Sequence, residues 1–113
     1  CEVTQDRDGE YAWHKGGNRR TFSSGRINWY GRDPDWSDTV GFRGKDDVES
    51  PLGEWTRADV ICDGDHIVAK VNGQIVNEGF AAFPSEGKIL MQSEGAEVFV
   101  RRLELHPLTK NDE

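Results

Sequence analysis

Two short polar turns between apolar, β-branched segments constrain the fold more than any other feature of the sequence. The first, Asp63-Gly64-Asp65, separates residues 55–62 from residues 66–71, and the second, Asn72-Gly73, separates that segment from residues 74–77. Tight hairpin turns need positive φ angles, which Asn, Asp and Gly adopt at low cost. The sequence therefore predicts three consecutive antiparallel strands, and with them an all-β fold.

Weaker strand patterns lie on both sides of these hairpins. Residues 1–15 predict an aromatic hairpin that turns at Asp6-Arg7-Asp8-Gly9, whereas residues 16–51 are rich in Gly, Asp, Arg and Ser. A long irregular stretch of this kind either lines a site or crosses the surface. Further strands are predicted at residues 26–30, 39–43, 88–92 and 98–105. The length of 113 residues predicts one domain, over residues 1–108, followed by a polar tail at 109–113.

The alternation of side chains sorts the predicted strands into faces. The face with Ile67, Ala69 and Val71 is opposite to the one with His66, Val68 and Lys70. In the last predicted strand, Arg101 shares its face with Phe99, Leu103 and Leu105. A buried Arg needs a carboxylate or several carbonyl groups to offset its desolvation. Glu94 is the expected partner of Arg101.

The charge of the chain narrows the choice of partners. Lys and Arg total 14 against 21 Asp and Glu, a formal charge of −7, which repels nucleic acid and anionic membranes. No apolar run of 18 residues and no signal-like segment occurs, so membrane insertion is not predicted. Cys1 and Cys62 form an even pair, but the sequence does not show whether their Cα atoms come within the ~7 Å of a disulfide. We expect two free thiols.

Several motifs resemble those of one protein family. Residues 53–55 read Gly-Glu-Trp, residues 71–73 read Val-Asn-Gly, and residues 91–98 read Met-Gln-Ser-Glu-Gly-Ala-Glu-Val. Near the start, residues 1–3 and 9–13 are similar to the Gly-x-Glu-x-Gln and Gly-Asp-Tyr-Trp segments of the same family. The chain thus resembles the 3-keto-disaccharide hydrolase domain family over nearly its whole length.

This resemblance implies a concanavalin-like jelly-roll β-sandwich. The family's first strands and its Asn-Ser-Gly motif have no counterpart here, so the chain is expected to lack its N-terminal strands. Thr4, Thr56, Val100 and Arg102 also depart from the Gln, Asn, Phe and Asn of the family pattern. The resemblance further implies a secreted or periplasmic location, and a Cys at position 1 also fits a lipoprotein.

The resemblance also implies cleavage of the glycosidic bond of 3-keto glycosides. Such cleavage usually takes two carboxyl groups, for which Glu2, Glu10 and Glu94 are candidates. A 3-keto group acidifies the C2 proton, so elimination followed by hydration would need a base and an oxyanion stabiliser. His14 is the candidate base and Arg101 the candidate stabiliser. The structural alternatives are solvated strand ends for Glu2 and Glu10, and a half-buried aromatic residue for His14.

Carbohydrate is the expected partner, and four residues are candidates for binding it. Trp13, Trp29 and Trp36 have indole rings that fit the C–H faces of sugars, although packing in the core or in loops is the alternative. Gln92 is a candidate for contact with a sugar hydroxyl, or else part of a polar turn. A non-catalytic carbohydrate-binding module is the rival function, because concanavalin-like folds carry both activities. A third possibility is a piece of a larger enzyme that is inactive alone.

No cofactor or metal is expected. The chain has no Gly-rich phosphate loop, Cys-x-x-Cys, His-Glu-x-x-His or Gly-x-Ser-x-Gly motif. Asp33, Asp35 and Asp38 resemble a calcium loop only in part, because the Gly at the sixth position and the Glu at the twelfth position are missing. A solvated acidic turn is predicted there.

Overall fold

The computed structural model describes residues 1–108 as two antiparallel three-stranded sheets, with no helix in that range. The first sheet has the order β2-β1-β3 and the second the order β4-β5-β6. The strands are β1 (Glu2–Gln5), β2 (Tyr11–Trp13), β3 (Asn18–Arg19), β4 (Ala58–Asp63), β5 (His66–Val71) and β6 (Gln74–Gly79). The all-β prediction is confirmed, whereas the predicted polar tail at 109–113 lies outside the described residues.

The first sheet contains the predicted aromatic hairpin. β1 pairs with β2 in a register that sets Val3 opposite Trp13. The turn closes where the Gly9 N–H donates to the Asp6 carbonyl at 2.9 Å and the Asp6 N–H donates to the Glu10 carbonyl at 2.8 Å. The short strand β3, on the other side of β1, was not predicted.

The second sheet is the predicted run of three strands. Gly64 has a φ of 62°, while Asn72 and Gly73 have φ angles of 49° and 83°. Positive φ at both central residues defines the turn type that Asn-Gly favours, so the hairpin from β5 to β6 forms as expected. β4 begins at Ala58, three residues after the predicted start.

β6 contains a β-bulge whose extra residue, Val76, is fully buried. Ala69 pairs with Asn77 and Lys70 pairs with Ile75, so Val76 is an extra residue. A bulge interrupts the alternation of faces and increases the local twist. Val68 and Val71, predicted on opposite faces, are both buried, and Ile67 is partly exposed. The predicted assignment of faces is therefore only partly correct.

The core is small and lies where the two sheets meet. Its buried apolar side chains are Val3, Ala12, Trp13, Val68, Val71 and Val76. The two sheets meet at β2 and β6, and a segment of the irregular stretch bonds to both. The Tyr30 N–H donates to the Val76 carbonyl at 2.8 Å, and Ala12 forms a parallel bridge with Asn28. The irregular stretch is thus fixed to both sheets.

Four predicted strands are absent from the described residues. Residues 26–30 form only the single bridge at Asn28, and residues 39–43 form a turn in which the Phe42 N–H donates to the Thr39 carbonyl at 3.1 Å. Residues 88–92 and 98–105 have no strand pairing within residues 1–108. An apolar pattern alone does not form a strand, because a strand needs a neighbour for its backbone hydrogen bonds.

Truncating Val76 tests the core at the bulge. The Val76 side chain is 0% exposed, so Val76→Ala should lower the free energy of unfolding by about 2 kcal/mol, from lost burial and the cavity left behind. Val60, which is 65% exposed, provides the matched control, and Val60→Ala should change stability by less than about 0.5 kcal/mol. Urea denaturation measures both. Equal effects of the two variants would contradict this placement of the core.

Candidate functional site

A cleft of about 340 Å³ opens on the irregular stretch. Its lining residues are Asn28, Trp29, Gly31, Arg32, Asp33, Trp36, Phe42, Gly44, Asp47 and Glu49. All of them lie between the first sheet and β4 in sequence. We call residues 28–33 the first wall and residues 42–49 the second wall.

The first wall is fixed by backbone hydrogen bonds to both sheets. The Asn28 N–H donates to the Tyr11 carbonyl at 2.9 Å, and the Trp13 N–H donates to the Asn28 carbonyl at 2.8 Å. Two residues later, the Tyr30 N–H donates to the bulge residue Val76. Trp29, whose side chain is 41% exposed, is therefore held between two anchored neighbours.

The two walls approach each other closely at Gly31. This residue has a φ of 100°, and a Cβ placed on it would lie 2.6 Å from the Asp46 carbonyl oxygen. A positive φ and a backbone contact this short both exclude an ordinary side chain. Gly31 thus permits the close approach that makes the groove between the walls.

The second wall brings Asp47 and Glu49 to the cleft. The Glu49 N–H donates to Asp47 Oδ1 at 2.9 Å, and Arg43 Nη2 donates to the Glu49 carbonyl at 2.8 Å. Glu49 retains exposed surface, but surrounding protein atoms displace water from its carboxyl group and raise its pKa. The nearby Asp47 carboxylate raises the pKa of Glu49 further, and the positive charge of Arg43 lowers it by a smaller amount. A carboxyl group with a raised pKa is suited to act as an acid, and the carboxylate beside it offers a base.

From the first wall, Arg32 binds three carboxylates of the hairpin turn from β1 to β2. Its guanidinium lies 2.7 Å from Asp6 Oδ2, 2.9 Å from Asp8 Oδ2 and 3.2 Å from Glu10 Oε2. We call these four residues the Arg32 cluster. Its hydrogen bonds lower the pKa of Asp8, whereas hydrogen bonds from Asn28 and then Arg26 lead in lowering the pKa of Glu10. The positive charge of Arg32 is therefore already compensated.

Removing Arg32 should make the protein less stable, and the loss should depend on pH. The pKa values of Asp8 and Glu10 are lower in the folded protein than their ordinary values of 3.8 and 4.5. The two carboxylates therefore stabilise the fold at a pH above those ordinary values, and this contribution is lost as the pH falls through the lower folded values. Arg32→Gln should therefore lower Tm at pH 7, and its difference from the parent should shrink in acid. Arg19→Gln, at an exposed position, is the control. A difference in Tm that does not change with pH would contradict this role of the cluster.

A comparison with protein families identifies the chain. The model of the 3-keto-alpha-glucoside-1,2-lyase-like domain matches residues 2–106. The chain belongs to this family. The resemblance found in the sequence to the 3-keto-disaccharide hydrolase domain is thereby confirmed. Searches of curated proteins and of solved structures returned no match.

The structure of this family member pairs Glu2 with His14, whose N–H donates to the Glu2 carbonyl at 3.1 Å, and gives the other predicted catalytic residues separate contacts. Glu2 Oε2 accepts a hydrogen bond from the Gly16 N–H at 2.6 Å, and Glu10 belongs to the Arg32 cluster. His14 is exposed, with its Nδ1 2.9 Å from the Lys15 carbonyl oxygen and its ring packed against Tyr30. Their catalytic roles stay predictions.

The expected pair of Glu94 and Arg101 is absent. Arg101 is exposed, with its guanidinium carbon 5.0 Å from the centre of the Trp55 ring, so the prediction of a buried Arg is wrong. Within residues 1–108, Glu94 makes no hydrogen bond or ion pair, and Gln92 is likewise exposed without a protein partner. Without the predicted strands at 88–92 and 98–105, no sheet holds these side chains together.

The three candidate tryptophans separate into two groups. Trp13 is 6% exposed and belongs to the core, which leaves no ring face for a sugar and corrects its assignment as a binding residue. Trp29 and Trp36 both line the cleft, and Trp36 is 62% exposed.

The two cysteines are free thiols, as expected. Cys1 is partly buried and Cys62 is exposed.

Sequence reasoning missed Asp47 and Glu49. They stand in no recognisable motif, and the only signal was the length of the irregular stretch that contains them.

Within residues 1–108, no three His, Cys, Asp or Glu side chains are grouped as ligands for a metal ion. The same residues include no helix with the length and apolar character needed to cross a bilayer.

Proposed function

We propose that this domain cleaves the glycosidic bond of 3-keto glycosides in the cleft between the two walls. The observation that carries this proposal is that two exposed indoles and a pair of carboxyl groups line one groove in a member of this family. Trp29 and Trp36 would stack on sugar rings, whose C–H faces fit an indole. Asp47 and Glu49 would supply the proton transfers.

The proposed reaction is an elimination followed by hydration. The 3-keto group acidifies the C2 proton, which passes to the Asp47 carboxylate while the C1–O bond breaks and a C1=C2 double bond forms. The leaving oxygen takes its proton from Glu49, whose raised pKa favours the acid form. Water then adds across the double bond, so a hydroxyl group joins C1 and a proton returns to C2.

A jelly-roll sandwich in a secreted or periplasmic protein remains part of the proposal. Two antiparallel sheets that meet at β2 and β6 are compatible with such a sandwich, and the family supports it. Fractionation of cells that express the full-length protein tests the location, since recovery in the cytosolic fraction would exclude it.

A non-catalytic carbohydrate-binding module is the second candidate. It is favoured by the separate contacts of the predicted catalytic residues: Glu10 is bound in the Arg32 cluster, and the exposed Arg101 lies over the Trp55 ring. The same cleft would then bind sugar through its indoles alone.

Sugar release separates these two functions. The protein is incubated with a 3-keto glucoside and, separately, with the unoxidised parent glucoside, and the freed aglycone is measured. The enzyme should release aglycone from the keto substrate only, and in D₂O it should introduce deuterium at C2. Binding of either sugar without release would instead support the module.

A further inference from the structure

Asn72 contacts the second wall of the cleft, although it belongs to a hairpin turn far from that wall in sequence. Its side-chain Nδ2 donates one hydrogen bond to the Val48 carbonyl at 2.9 Å and a second to Ser50 Oγ at 3.1 Å. These two residues flank Glu49 directly. The turn from β5 to β6 is therefore bonded to both sides of the proposed acid.

The opposite end of the Asn72 amide is also used. Its Oδ1 accepts a hydrogen bond from the Arg57 N–H at 3.0 Å, and its backbone N–H donates to the Arg57 carbonyl at 2.8 Å. Arg57 immediately precedes β4. One side chain thus connects the second sheet to the second wall.

The requirements of the turn do not explain these contacts. A turn with positive φ at both central residues accepts Gly or Asp as well as Asn at its first central position. Only an amide side chain offers two N–H donors and a carbonyl acceptor together, which Gly lacks and an ionised Asp supplies only in part. The contacts of Asn72 therefore point to a role beyond the turn.

We infer that Asn72 is a positioning residue that holds Glu49 at the cleft through its hydrogen bonds to the Val48 carbonyl and the Ser50 hydroxyl. This inference rests on the proposed function of the cleft. The Asp47 side chain and Arg43 hold the backbone of Glu49 itself, and Asn72 supplies the connection from that segment to the rigid sheet. The same segment is also bonded through the Lys45 N–H to Asp33 Oδ2 at 3.4 Å and through the Ser50 N–H to Thr56 Oγ1 at 3.1 Å.

The variant Asn72→Gly tests this inference, because it preserves the turn and removes the amide. Release of aglycone from the 3-keto glucoside should fall about tenfold or more in kcat/KM, because the variant loses the three hydrogen bonds of the amide. Two of them, of about 1 kcal/mol each, hold the residues beside Glu49. The Glu49 carboxyl, followed by ¹³C NMR, should titrate closer to its ordinary value of 4.5 as water reaches it. Asp65→Gly, in the other hairpin turn of the sheet, is the matched control and should change neither quantity.

Ser50→Ala is a second variant that removes one acceptor of Asn72 and leaves the turn intact. It should move the Glu49 titration in the same direction by a smaller amount, and it decides the question if Asn72→Gly does not fold. An unchanged titration in the folded variants, or equal changes in Asp65→Gly, would overturn the inference. Should the parent release no aglycone, the proposed function fails, while the titration still reports on the role of Asn72.

Discussion

Glu49→Gln should lower kcat/KM for a 3-keto glucoside by about 10²–10⁴-fold, the usual contribution of a positioned proton donor. Glutamine keeps the size and polarity of the side chain but has no proton to give to the leaving oxygen. Steady-state release of the aglycone at a fixed pH measures the effect. Binding of the same sugar should change much less, because Trp29 and Trp36 remain in place.

The pH profile distinguishes an acid from a residue that only shapes the cleft. Because the pKa of Glu49 is raised, its acid form persists above the ordinary value of 4.5, and the parent should lose activity as the pH rises through the raised value. Glu49→Gln should lack that limb. Because the pKa of Glu49 is higher in the folded protein, protonation of Glu49 stabilises the fold. This contribution to the free energy of unfolding is fully present below pH 4.5 and is lost as the pH rises through the raised pKa. Glu49→Gln removes it.

The exposed Glu86 provides the control for this prediction. Glu86→Gln removes one negative charge from the same protein outside the cleft, and it should leave both the rate and the pH profile unchanged. If Glu49→Gln keeps the parental rate and profile, the acid is another group, with Asp33 and Asp47 the remaining carboxyl groups of the cleft.

The sequence predicted best those parts of the fold that depend on neighbouring residues. The turns at Gly64 and Asn72-Gly73 are determined by the φ angles that their residues accept, so the three strands around them followed directly. The aromatic hairpin of β1 and β2 formed for the same reason. The bulge at Val76 could not be foreseen, because its partner is the backbone of Tyr30.

The candidate site depended on distant contacts and was therefore mostly missed. The cleft exists because Gly31 lets two irregular segments meet, and no periodic pattern records that meeting. Family motifs pointed to Glu2, Glu10 and Glu94, yet a motif fixes a position in a strand and not the groups around it. In the structure, Glu10 lies beside Arg32 and Glu2 beside the Gly16 N–H. A charged neighbour that is 22 residues away, as Arg32 is from Glu10, leaves no local signal.

The tryptophans should respond to truncation in two opposite ways. Trp13→Ala should lower the free energy of unfolding by about 3–5 kcal/mol, because the ring is 6% exposed and its loss leaves a large cavity. Trp36→Ala should change stability by less than about 0.5 kcal/mol, since that ring is 62% exposed. Urea denaturation of the two variants measures the difference.

Sugar binding should show the reverse order. Trp36→Ala should weaken binding of the 3-keto glucoside about tenfold, the loss expected for one stacked ring, whereas folded Trp13→Ala should bind as the parent does. Quenching of the remaining tryptophan fluorescence by the sugar gives both affinities, and Trp55→Ala, which removes another exposed indole outside the cleft, is the control. Equal binding by Trp36→Ala and the parent would exclude stacking on Trp36. A Trp55→Ala variant that binds more weakly than Trp36→Ala would place the sugar beside Arg101 instead, because that guanidinium lies over the Trp55 ring.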